Sequence, residues 1–336
     1  MTNQLNSATT ALAAVLVMLG AGSASAIDKV TFATNWKAEA EHGGFYQAVA
    51  DGTYAKYGLE VTIRPGGPQS NERALLTAGK VEFLMAGNLD PAFNAVKEGI
   101  PTRVVAAVMQ KDPQVFLTHP GQGLDTWDSL KKATMLVSRG GVASFYQWMI
   151  AAHGFSESQI KPYTFNPAPF LADKRSAQQG YVTAEPYAIE KQGGFKPNIF
   201  LLADHGYDTY ATTIETTIEM IEKKPDVVQR FVDASMIGWY NYLYGDNKAA
   251  NVLIKKDNPD MDDPQIAFTI QKLKEYGIVD SGDTAKLGIG AITDERIRSS
   301  FERMVKAKLL KSDLDYKKAY TLQFVNKGVG LNLKKP

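Results

Sequence analysis

The sequence predicts an α/β protein built on mostly parallel sheet with helices on both faces. Three observations lead there. Residues 27–66 run from a strand through a short aromatic turn into a helix and then a second strand. Strand-length apolar runs then recur at 81–86, 103–108, 115–119, 134–138, 161–165, 180–184 and 198–203, with helical segments between them. From about residue 217 the apolar period lengthens to that of helices, so the C-terminal third is largely helical. Alternation of this kind is how a parallel sheet buries both of its faces.

In the first unit Val30 and Phe32 alternate with polar neighbours, Gly43 and Gly44 open the helix, and Leu59, Val61 and Ile63 alternate again. The turn carries Trp36, Glu39, Glu41 and His42, with Tyr46 one helical turn beyond. In an open α/β sheet such a turn lies at the carboxyl end of a strand, where ligands dock. Further on, Pro225 suits a helical first turn and is followed by Val228, Phe231, Val232, Trp239 and Leu243 at helical spacing. Asp263 and Pro264 begin the next helix and Gly277 ends it. Thr293 caps a third, with Asp294 and Glu295 in its first turn and Ile297, Phe301 and Met304 on one face.

Residues 1–26 read as an export signal, because 11–21 are apolar and Ala24, Ser25 and Ala26 form a small-residue cleavage site. The stretch before the apolar run has no Lys or Arg, which is unusual for such a signal. The expected location is therefore the periplasm, with cleavage near Ala26. A net charge of +1 and the lack of a Lys/Arg-rich block argue against nucleic acid as a partner. The chain has no cysteine, which removes disulfides, thiolate nucleophiles and cysteine metal sites. Its length suits about two domains. With no flexible linker, the expected arrangement has two crossings, near 109–114 and 204–212. Residues 27–110 with 212–336 then form one lobe, and 111–211 form an inserted second lobe.

Several turns carry polar groups suited to a ligand. The 66–71 loop, with Gly67 and Ser70, leads into a helix whose amides can face an anion or a polar edge, though it also suits a plain strand-to-helix turn. The 138–148 stretch places Arg139, Gly140, Gly141 and Ser144 as a candidate anion cradle. Glu185, before Pro186 and Tyr187, is expected to end a strand and turn into the crevice, either solvated or bonded to a ligand. Asn88 and Asp90 stand at another strand end and also suit helix capping. Trp36, Tyr46, Phe145, Tyr146 and Tyr187 can face a flat ring or serve as core. His42, His119, His153 and His205 show no metal-ligand spacing, and no Gly-x-Ser-x-Gly elbow occurs; no metal, cofactor or catalytic residue is expected.

The segments NW…EHGGFYQA…GTYAKYGLEV, GGPQSN, VEFLMAGN, LDTWDSLKKATMLVSRGG, QQGYVTAEPYAIEK and KKPDVVQRFVDASMIGWYNYL span nearly all of the chain after residue 26. Together they resemble periplasmic solute-binding proteins of ABC importers. The branch is the one that unites binders of thiamine pyrimidine precursors with alkanesulfonate, taurine and nitrate binders. Fungal thiamine pyrimidine synthases belong to the same superfamily. The resemblance implies a type II periplasmic-binding-protein fold, a monomer that closes on its ligand and docks on a membrane permease. It gives Trp36, His42 and Tyr46 a ring-contact role and Glu185 that of accepting from a ring amine. Within the branch it favours a thiamine pyrimidine precursor, with a sulfonate, taurine or nitrate as the alternative. Where the family pattern has Asp-Trp, this chain has Asn35-Trp36. The synthases carry a cysteine-rich motif that this chain lacks, so the resemblance implies a binder and not an enzyme.

Overall fold

The computed structural model describes Met1, residues 27–67 and residues 70–334. The export-signal segment therefore lies outside the described residues, as do Pro68 and Gln69 of the glycine loop. The chain forms two five-stranded sheets. The first is ordered β2-β1-β3-β10-β4, with β1 Asp28–Ala33, β2 Leu59–Arg64, β3 Phe83–Asn88, β4 Thr102–Met109 and β10 Ala211–Thr217. The second is ordered β7-β6-β8-β5-β9, with β5 Gln114–Thr118, β6 Thr134–Val137, β7 Ile160–Pro162, β8 Ser176–Tyr181 and β9 Asn198–Leu201.

Both sheets are mixed. β1 runs parallel to β2 and β3, but β10 is antiparallel to β3 and β4. β6 runs parallel to β7 and β8, but β5 is antiparallel to β8 and β9. The reversed strands are the two that receive the chain as it arrives from the other sheet. A strand entered directly from a neighbouring layer needs no helical crossover, and only the crossover imposes parallel pairing. Periodicity reports which residues are buried and says nothing of this direction.

Strand 180–184 is displaced from its expected place. β8 ends at Tyr181, and Pro186 sits in the first turn of the helix Glu185–Gly193, where its missing N–H costs nothing. The C-terminal helices form where their caps place them: Pro225–Tyr244, Asp263–Glu275 with Asp262 accepting from Gln265 N, and Asp294–Lys306 with Thr293 accepting from Arg296 N.

The largest core lies on the first sheet. There Phe231 of the helix Pro225–Tyr244 stacks on Phe83 at 4.1 Å between centroids and on Tyr54 at 5.5 Å. The same helix fixes the turn after β1. A Cβ on Gly43 would lie 2.0 Å from the Tyr242 ring, and one on Gly44 would lie 2.2 Å from Trp239. A Cβ on Gly238 would in turn sit 2.2 Å from the Gly44 carbonyl. The glycines of the helix Gly43–Ala50 are thus required by close approach of two backbones. Separate cores cover the two faces of the second sheet, and Ala307 and Leu309 from the C-terminal segment pack into one of them.

Candidate functional site

Between the sheets lies a cavity of about 270 Å³, lined by Asn35, Trp36, Glu39 and His42 after β1, Gly67 and Ser70 after β2, and Ala86 to Asn88 at the end of β3. From the second sheet come Ser138, Gly140, Gly141 and Ser144 after β6, Gln179 to Tyr181 at the end of β8, and Glu185. Apart from Arg73, Gln114, Thr212 and a few apolar side chains, these are groups at the carboxyl ends of parallel strands, where helix N-termini and turn amides gather.

The β1 turn is the chemical centre. Trp36 is partly buried against the second sheet's core, its ring 6.3 Å from Tyr163 and nearly parallel to it, with Phe165 edge-on at 5.8 Å. Glu39 is 5% exposed. Among the described residues nothing donates a hydrogen bond to its carboxyl, and burial followed by the neighbouring Glu41 and Glu185 charges raises its pKa well above the usual carboxylate range. His42 Nε2 is 3.9 Å from the Glu39 carboxyl, but burial lowers the imidazole to about 3, so the ring is neutral and the pair is not an ion pair. His42 Nδ1 has no partner among the described residues.

Two more carboxyls close the cluster. Glu41 accepts from Thr183 Oγ1 across the sheets, its second oxygen is buried without a partner among the described residues, and burial pushes its pKa up to about 7. Glu185 accepts from Tyr181 N at 2.7 Å and from the Tyr163 hydroxyl at 3.2 Å, and enclosure pushes it up to about 7. Glu185 thus has protein donors, where the sequence suggested solvent or ligand. The cation on the cavity wall, Arg73, is committed to Thr102 Oγ1 at 2.7 Å and to the fully buried Glu215 at 2.8 Å. With Glu72 also on the wall, the lining is acidic.

Of the thirteen residues singled out from sequence, Trp36, His42, Gly67, Ser70, Asn88, Gly140, Gly141, Ser144 and Glu185 come together on the cavity, and four do not. Tyr46 is 2% exposed in the core and donates to Asp257 at 2.9 Å. Asp90 is fully buried, accepting from Tyr207 at 2.7 Å and Arg303 at 3.2 Å, which ties together three elements. Arg139 begins the short helix Arg139–Ala143 and points to solvent. Tyr187 packs on Phe268 at 5.5 Å. Without Arg139 the anion cradle loses its charge. Its hydroxyls are also spent locally, with Ser138 accepting from Gly141 N and Ser144 donating to Gly140 O. Among the lining residues that sequence reasoning did not select are Glu39, Glu72, Arg73, Ser138, Gln179 and Tyr181, of which Ser138 directly precedes Arg139. The visible signal was Glu39 in the aromatic turn; nothing in β8 marked Gln179 as facing the site.

The profile of the family described as "NMT1/THI5 like" matches residues 39–250. A curated relative, the riboflavin-binding protein RibY of Chloroflexus aurantiacus, is 25% identical over 311 residues, covering 90% of this chain and 87% of its own. The 4-amino-5-hydroxymethyl-2-methylpyrimidine phosphate synthase of Schizosaccharomyces pombe is 27% identical over 104 residues, covering 31% and 30%. Among solved structures, the ligand-binding component of an ABC-type import system from Staphylococcus aureus superposes with a TM-score of 0.65 at 11% identity, covering 90% of this chain and 99% of that one. The alkanesulfonate-binding protein SsuA from Xanthomonas axonopodis pv. citri, bound to MOPS, does so with 0.64 at 15%, covering 89% and 99%. At these identities the superpositions show a shared periplasmic-binding-protein fold, one that structures of non-enzymatic binding proteins also adopt.

Proposed function

The chain belongs to the NMT1/THI5-like family, and from that premise we propose that it is the exported solute-binding component of an ABC importer, capturing a small heteroaromatic solute between two lobes. In this reading residues 27–110 with 212–336 and residues 111–211 are the lobes. The closed form delivers the solute to a membrane permease, and no residue acts catalytically.

The observation that carries the reading is the Glu39 carboxyl, enclosed on the cavity wall without a donor among the described residues, beside Trp36 and two other enclosed carboxyls. A buried acceptor of this kind is costly until something donates to it. An exocyclic amine next to a ring nitrogen supplies a donor and an acceptor side by side, which one carboxyl can engage with both oxygens. That favours an aminopyrimidine such as a thiamine pyrimidine precursor, with Trp36 against the ring. It disfavours a sulfonate or nitrate, which would meet Glu39, Glu72 and Glu185 with no unengaged cation among the described residues of the wall. The likeness to the riboflavin-binding relative along 90% of the chain supports a ring solute as well.

The test is calorimetry with 4-amino-5-hydroxymethyl-2-methylpyrimidine, riboflavin and taurine, together with mass spectrometry of solutes that co-purify with the exported protein. Tight binding of taurine and none of either ring would sink the proposal.

A further inference from the structure

Near its carboxyl end β8 brings Gln179 to the cavity wall, 7% exposed, and the structure holds its carboxamide in one orientation. Ser138 N donates to Gln179 Oε1 at 2.6 Å. A backbone N–H can face only the oxygen end of an amide, so that bond decides which end is which. Ser138 is itself fixed, its hydroxyl accepting from Gly141 N at 3.2 Å. Gly141 leaves room for the arrangement, since a Cβ there would lie 2.7 Å from Gln179 Oε1. With the oxygen turned to the β6 turn, the Nε2 end is left to the cavity, where no acceptor among the described residues takes it.

The other glutamine that the second sheet brings to this wall, Gln114, spends its Nε2 on Val115 O at 3.2 Å and Gly180 O at 2.9 Å. Gln179 therefore supplies an unspent neutral donor from the second sheet, while Glu39 supplies a carboxyl from the first. A ring held between the sheets meets different chemistry on its two edges. An amine with its adjacent nitrogen suits the carboxyl. An acceptor atom suits the amide N–H, whereas a bare C–H at that edge leaves a buried donor unpaired, which is costly.

We propose that Gln179 is a specificity-determining residue of this site, donating from Nε2 to an acceptor atom on the ring edge opposite the one that meets Glu39. The inference rests on the ring reading above and deepens it, because it fixes which way round the ring lies and which rings are refused.

The test is calorimetry on the whole protein with a matched pair of ligands, at mildly alkaline pH where both rings are neutral. One is 4-amino-5-hydroxymethyl-2-methylpyrimidine. The other is 2-amino-3-hydroxymethyl-6-methylpyridine, the same molecule with the ring nitrogen across from the amine-bearing carbon replaced by C–H. Both keep the amine and its adjacent nitrogen for Glu39. Wild type should bind the pyrimidine about 5- to 150-fold more tightly, since the pyridine strands a buried donor. Gln179→Met, which keeps the length and removes the donor, should bind the two alike. In ¹⁵N-labelled wild type the Gln179 side-chain amide signal should move on titration with the pyrimidine and stay in place with the pyridine, a readout that needs no variant to fold. Equal affinities in wild type, a preference that survives in Gln179→Met, or equal movement of the amide signal with both ligands overturns the proposal and leaves the ring reading standing. Failure of wild type to bind either ring removes the ring reading, and the proposal with it.

Discussion

Glu39→Leu separates a binding carboxyl from a structural one. In the free protein the Glu39 carboxyl is enclosed and has no donor among the described residues, and it faces the Glu41 and Glu185 carboxyls. Replacing it with an apolar side chain of similar size should relieve the cost of a buried, unpaired polar group, about 1–3 kcal/mol. The variant should therefore melt at or above the wild-type temperature at pH 7.5. Binding should respond in the opposite direction. Two hydrogen bonds between the protonated carboxyl and an aminopyrimidine contribute about 0.5–1.5 kcal/mol each, and at about 1.4 kcal/mol per decade the loss is roughly 5- to 150-fold in Kd. Calorimetry and thermal melts on the same preparation read both numbers. A variant that melts lower and binds the aminopyrimidine as well as wild type would refute the reasoning, because Glu39 would then be part of the scaffold.

Three further outcomes follow from the structure. In the absence of ligand, stability should fall as pH rises from about 4.5 to about 7, since Glu41 and Glu185 move from an ordinary 4.5 to about 7 on folding and the folded state therefore holds the extra protons in that window. Each contributes up to about 3 kcal/mol, and urea melts across the window should show the slope, which a flat profile would contradict. Gly44→Ala should cost several kcal/mol or prevent folding, because its Cβ would enter the Trp239 ring; a melt within a degree of wild type would count against that packing. Arg139→Ala should leave both binding and stability unchanged, whereas Asp90→Ala, which strands Arg303 in the interior, should lower stability by about 3–5 kcal/mol in chemical denaturation.

The sequence by itself determined the local structure and much of the site. The period change at about residue 217, the Pro225 and Asp263–Pro264 starts and the Thr293 cap are local signals, set by side chains within one turn of the backbone they satisfy, and the helices form there. Strand ends are equally local, which is why nine of the thirteen selected residues meet on one cavity. Tertiary structure alone decided the direction of β5 and β10, since strand direction depends on where the chain arrives from and leaves no mark on periodicity. It also decided between partners. Asp90 and Tyr46 read as ligand contacts until Arg303, 213 residues away, and Asp257, 211 residues away, take their hydrogen bonds. Among the described residues no distant donor reaches the Glu39 carboxyl, while Thr183, 142 residues from Glu41, takes that neighbour. A charged side chain's role depends on which of its possible partners folding brings within about 3 Å, and that distance is a property of the assembled fold.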